Sequence, residues 1–233
     1  MPVHRLRRQW LKIAAAIGLY GPAGLASLLQ EALAVGELPK TSAIHSMEGM
    51  VTINGQPAKV GAPVKAGDRI ATGPKSMTVV VLNKDAYLLR EQTSVVLEAS
   101  HGQPGVLESL LITTGKVLSV FAKRMGSDPA LRVRVPNATI GIRGTGMYVE
   151  TYENRTYFCL CYGEAAIDGA GWREPKIVAT QHHESPLWLE SRGGTMNIDK
   201  GPFLNHSDSE LIMLEKLTGR EPPFVAQGLT GRY

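Results

Sequence analysis

A chain of 233 residues with 43% hydrophobic content can bury a real core and fits one domain with appendages. Lys and Arg exceed Asp and Glu by only 25 to 21, much of that surplus lies in the first dozen residues, and no basic stripe is interleaved with aromatics, so no nucleic-acid partner is expected. Two cysteines cannot build a disulfide framework, and 25 glycines with 14 prolines point to many turns between short strands.

The chain opens on R-L-R-R-Q-W-L-K at 5–12, then an apolar run from Ile13 to Leu29 interrupted by Gly18, Gly21, Pro22 and Gly24. That is the layout of a signal peptide. The Arg7-Arg8 pair followed by Trp10-Leu11-Lys12 resembles the twin-arginine consensus. Ala32 and Ala34 form an A-x-A site, so residues 1–34 are expected to be removed on export to the periplasm; uncleaved, they would be the chain's one membrane attachment. A linker is expected at 35–48.

From Gly49 onward, short apolar stretches alternate with turn residues. Met50–Ile53 runs into Asn54-Gly55, a hairpin dipeptide. Strands are expected at 77–82, 86–89 and 95–97, separated by Asn83-Lys84-Asp85 and similar turns. Two further strands, 107–113 and 115–121, are expected on either side of Thr114. Leu131-Arg132-Val133-Arg134-Val135 alternates strictly, giving an apolar face and a solvated arginine edge. Turn signals about every ten residues argue for an all-β sandwich or roll.

The stretch from Thr139 to Tyr162 joins a glycine-rich turn to the only two cysteines. Tyr148–Thr151 and Thr156–Tyr162 read as a hairpin around Glu153-Asn154-Arg155. Cys159 and Cys161 project from one strand face about 6.6 Å apart. A second hairpin, 164–167 with 176–180, leads into Gln181-His182-His183. Two thiols and two imidazoles suit tetrahedral zinc, copper or an iron–sulfur centre. Adjacent strand residues face opposite ways, so both histidines reach one ion only if the chain bends there. A redox thiol pair and plain packing are the other readings of the four residues. Arg143 among glycines either clamps a carboxylate or pins its own turn.

G-D-R-I-A-T-G at 67–73, T-V-V-V-L at 78–82, Gly115-Lys116-Val117 and I-R-G-T-G at 142–146 resemble the FecR domain over 49–167. The resemblance implies a FecR-like β-sandwich or roll, and its known members are periplasmic parts of inner-membrane regulators. Here a leader is expected in place of their sigma-binding segment, which implies a binding, scaffolding or sensory module beside an envelope protein partner. A β extension carrying the His pair is expected at 168–204, and a C-terminal α-helix with its tail at 205–233. Ser207-Asp208-Ser209-Glu210 is a capping box, followed by Leu211, Leu214 and Leu217 at helical spacing and a stop at Gly219. No nucleophile elbow, phosphate loop or paired-carboxylate motif stands out, so a non-enzymatic role is expected, with a metal- or cluster-carrying redox protein as the alternative.

Overall fold

The computed structural model describes residues 42–103, 105–124 and 131–231. The expected leader and the first half of the linker lie outside the described residues. Among the described residues, fifteen strands and two short helices make an all-β fold with a barrel-like core. The strands are β1 (Ala43–Glu48), β2 (Val51–Ile53), β3 (Gln56–Pro57), β4 (Arg69–Thr72), β5 (Met77–Leu82), β6 (Asp85–Leu89), β7 (Ser94–Ala99), β8 (Leu107–Val120), β9 (Leu131–Val135), β10 (Ala138–Ile142), β11 (Gly146–Thr151), β12 (Arg155–Gly169), β13 (Lys176–Thr180), β14 (Pro186–Arg192) and β15 (Thr195–Lys200). The helices are α1 (Asp208–Leu217) and α2 (Pro223–Ala226).

Two layers share two long strands. The first layer runs β1-β5-β6-β8-β11-β12-β14-β15. The second runs β3-β2-β4-β7-β8-β9-β10-β12-β13, antiparallel except for the β8–β9 pair. Strands β8 and β12 each begin in one layer and end in the other, the usual way a corner is made between sheets. Both turn the corner at a glycine with positive φ, Gly115 at 98° and Gly163 at 97°. A Cβ at Gly115 would collide with Thr93, and one at Gly163 would lie 2.8 Å from Thr145 Cγ2, so glycine is needed for space as well as for φ.

Three expectations need correction. Residues 107–120 form one bent strand where two, 107–113 and 115–121, were expected, because Gly115 bends the ladder without ending it. Residues 43–48, inside the expected linker, form β1, which pairs with β5 and buries Ile44. Strand β9 is no edge: it lies between β8 and β10, and Arg132 and Arg134 pair outward with Glu108 at 2.7 Å and Glu98 at 3.0 Å. Of the two readings of Arg143, the structure shows the ion pair at the turn: its side chain is 81% exposed and stands 3.5 Å from Glu164.

Strict period-2 alternation divides the first layer between two cores. Val80, Leu82, Tyr87, Leu89, Val149, Phe158 and Leu160 point inward to the core between the layers. Val79, Val81, Leu88, Leu118, Tyr148, Tyr157, Cys159 and Cys161 point outward, where Leu211, Leu214, Leu217 and Phe224 cover them. Strands buried on both faces read as continuous apolar runs, as T-V-V-V-L does. Helix α1 starts as the capping box requires, with Ser207 and Glu210 each bonding the other's backbone N–H, and Arg90, just after β6, holds Glu210 at 2.7 Å. Among the described residues, no helix is long and apolar enough to cross a membrane.

Candidate metal centre

The cysteines lie side by side under the helices, fully buried and not disulfide-bonded. Strand β12 pairs with β14 over residues 155–159 and with β13 over 163–167. In the gap between those ladders, the Cys161 carbonyl accepts a hydrogen bond from the His183 backbone N–H at 3.0 Å. That bond seats the turn after β13 directly beside the thiols.

The turn decides what each histidine does. His183 takes φ of 52°, a left-handed conformation uncommon for a residue with a Cβ, and the bend puts both rings on the same side, 4.8 Å apart. His183 Nδ1 lies 3.6 Å from Cys159 Sγ, whereas His182 Nε2 goes to Asp208 Oδ1 at 2.7 Å. The structure therefore brings Cys159, Cys161 and His183 into one group and sets His182 in an adjoining group with His183 and Asp208.

His206, for which no role was read from the sequence, completes the first group. Its Nε2 lies 3.1 Å from His183 Nδ1, and the ligand atoms of Cys159, Cys161, His183 and His206 all lie within 4.8 Å of one another, all four residues buried. The irregular segment that carries it is pinned from several sides. Tyr157 donates to the Pro202 carbonyl at 2.8 Å, Arg90 to the Asn205 carbonyl at 2.8 Å, and the Asn205 amide to Glu150 at 2.6 Å. The Tyr148 ring stacks on His206 at 4.5 Å, and the Phe203 ring lies 4.4 Å from the same imidazole.

The outer hydrogen bonds fix the tautomers. Leu204 O can only accept, so His206 Nδ1, 2.6 Å away, carries a proton. Asp208 Oδ1 stands 3.2 Å from His183 Nε2. Burial works against the Asp208 carboxylate, but the bonds from His183, His182 and the Gly231 N–H outweigh it and hold its pKa below the usual range. His183 Nε2 then carries a proton toward Asp208, and its Nδ1 faces His206 Nε2 at 3.1 Å and Cys159 Sγ at 3.6 Å. Two ring nitrogens and two sulfurs this close make a cage that a shared proton or a metal ion can hold together.

Electrostatics follow the same logic. A hydrogen bond from Cys161 first, then those from His183 and His206, hold the Cys159 thiol well below its ordinary pKa against the cost of burial. Burial pushes Cys161 up. Burial alone would lower His183, but Asp208 and Cys159 raise it. Cys159, His183 and Asp208 thus line up like a nucleophile, base and orienting acid. The thiol has no exposed surface, so the alignment offers no approach to a substrate. A separate depression, of about 460 Å³, is lined by Glu98, Glu108, Arg132 and Arg134, whose charges are already paired.

No family model matches the chain, and no curated protein matches it. Among solved structures, two crystal structures of a "putative anti-sigma factor" from Parabacteroides distasonis ATCC 8503, at 1.65 and 2.50 Å resolution, are similar. Each has a TM-score of 0.45 at 12% identity and covers 62% of this chain, with 71% and 70% of the other chain matched. Similarity at that level leaves the chemistry of the site to its own residues.

Proposed function

We propose that this chain is an exported, FecR-like, non-enzymatic binding, scaffolding or sensory module of the cell envelope that carries one metal ion on Cys159, Cys161, His183 and His206. The convergence of those four buried ligand atoms from three separate segments carries the metal reading. The twin-arginine-type leader and the FecR-like motifs support the envelope setting and an envelope protein partner.

Zinc suits the site best. With Zn–S near 2.3 Å and Zn–N near 2.0–2.1 Å, a tetrahedron has S···N edges of about 3.6 Å and N···N edges of about 3.3 Å. The spacings here are 3.6 Å for Cys159 Sγ to His183 Nδ1 and 3.1 Å between the two ring nitrogens. A mononuclear copper site has similar requirements. An iron–sulfur cluster suits it less well, because it spreads its protein ligands over separate irons where these four surround one point. Four protein ligands leave no open position for a substrate, the pattern of a structural rather than a catalytic metal.

One observation favours a redox carrier as the second reading. From His206, ring contacts run through Tyr148, Tyr157 at 6.2 Å, Trp188 at 5.2 Å and Tyr152 at 5.5 Å, and Tyr152 is 42% exposed. Elemental analysis and an absorption spectrum of protein purified under reducing conditions separate the readings. About one equivalent of colourless zinc is expected; a coloured centre that is bleached and restored by reductant and oxidant would favour the second, and metal-free, fully stable protein would overturn both.

A further inference from the structure

The metal reading above leaves Asp208 without a direct ligand role, yet its carboxylate joins both histidines of the turn to the C-terminal segment. Its Oδ1 accepts from His182 Nε2 at 2.7 Å and from His183 Nε2 at 3.2 Å, and its Oδ2 accepts from the Gly231 backbone N–H at 2.9 Å. We infer that Asp208 is the positioning residue of the metal centre, and that through Asp208 and His206 the docking of the C-terminal segment and the binding of metal are one linked event. This inference rests on the metal reading.

Consider first the ligand ring. A neutral imidazole can bind a metal through either nitrogen, and the hydrogen bond made by the other nitrogen decides which. Asp208 holds the proton of His183 on Nε2, so Nδ1 is the nitrogen turned toward Cys159 and His206. Carboxylate partners of this kind orient the ring and raise its basicity. The neighbouring His182 gives Asp208 a second donor, which fixes the carboxylate itself and so keeps the first bond in register. Asp208 is also the first residue of α1, where the helix dipole favours a negative charge.

Consider next which part of the chain owns each group. Cys159, Cys161 and His183 belong to the sheet and its turn. His206 and Asp208 stand two residues apart at the start of the helix that covers the outer core. The sheet alone offers three ligands with an unoriented ring; the docked segment adds the fourth ligand and the orienting carboxylate. Metal must then bind more tightly when the segment is docked, and by linkage the metal strengthens docking by the same factor.

The test compares zinc affinity, measured against a chromophoric competitor, for the full chain and two variants. Asp208→Asn keeps the shape but gives the ring a poorer acceptor. It should still bind one equivalent at saturation, with affinity about 10–100-fold lower, and its cobalt-substituted spectrum should shift. Glu210→Gln perturbs the same helix start through the capping box and the Arg90 pair without touching the site, and its zinc affinity should stay unchanged. Wild-type affinity in Asp208→Asn, or equal weakening in both variants, would overturn the positioning role. On the wild type, chelation should speed amide exchange across 203–231 while leaving the interior of β8 protected; unchanged exchange would overturn the linkage. A wild type that takes up no zinc fails earlier, at the metal reading itself, before any variant is compared.

Discussion

The first layer buries its two faces by different means. Its inner face meets a core of aliphatic side chains with a few aromatics, where burial itself supplies the free energy, roughly 25 cal/mol per Å² of apolar surface. Its outer face, under α1 and α2, mixes apolar side chains with Cys159, Cys161, Tyr148, Tyr157 and Tyr162, and close by lie buried Glu150, Asp208, Glu210, Glu215 and three histidines. A helix meant only to cover a sheet needs none of these, and each costs free energy unless it finds a partner. They do find partners: Tyr162 bonds Glu215, Tyr148 and Tyr152 bond Glu150, and both His182 and His183 reach Asp208. A satisfied polar network fixes one arrangement where greasy contact would tolerate several. The outer face therefore reads as a site with a helix built into it, and the inner face as the frame.

The difference between the faces can be broken from the inner side first. Phe158→Ala should cost about 3–5 kcal/mol in denaturant melts, by loss of transfer free energy and the cavity left behind. The loss should be the same with and without chelator, since Phe158 points away from the thiols. On the outer side, an ion held at a free concentration a thousandfold above its Kd stabilises by about 4 kcal/mol. Chelation should remove that contribution from the wild type, and Cys159→Ser should behave as the chelated protein does, with no further response to chelator. Equal chelator responses in wild type and Cys159→Ser would separate the stabilising ion from this site.

Glu150 offers a sharper, smaller probe. Burial would raise its pKa, but hydrogen bonds from Tyr148, Tyr152 and Asn205 outweigh this and hold it below the usual value. A carboxyl with a folded pKa below its unfolded one contributes stability that is complete above the unfolded value and lost as pH falls through the folded one. Thermal melts should therefore steepen their decline below about pH 4.3, and Glu150→Gln should flatten that part of the profile. Arg143→Ala should be the smallest effect, at most about 0.5 kcal/mol, because its pair with Glu164 is long and exposed. A larger loss would show that the glycine-rich turn does depend on the arginine.

Much of this architecture was readable before the structure, and the gaps have physical causes. The period of a strand put Cys159 and Cys161 on one face, and the capping box marked the start of α1 to the residue. Gly115 was ambiguous in kind: a glycine with positive φ ends one strand and merely bends another, and only the partner Thr93 decides which. His182 and His183 could not be sorted, since strand alternation no longer applies once His183 enters the left-handed region. His206 carried no periodic signal at all. It lies in an irregular segment 45 residues beyond Cys161, held by bonds to Tyr157, Glu150 and Arg90 that no local pattern announces. The one available hint was its position immediately before the capping box, where a helix start can deliver a side chain to a fixed place.

The central claim is that two thiolates and two imidazoles, His206 among them, surround one ion. X-ray absorption at the metal edge of the loaded protein tests it most directly. The account predicts two sulfurs near 2.3 Å and two imidazole nitrogens at about 2.0–2.1 Å, with one nitrogen lost in His206→Ala and neither lost in His182→Ala. A shell of nitrogen and oxygen alone, or a spectrum that changes with His182 and not with His206, would contradict it.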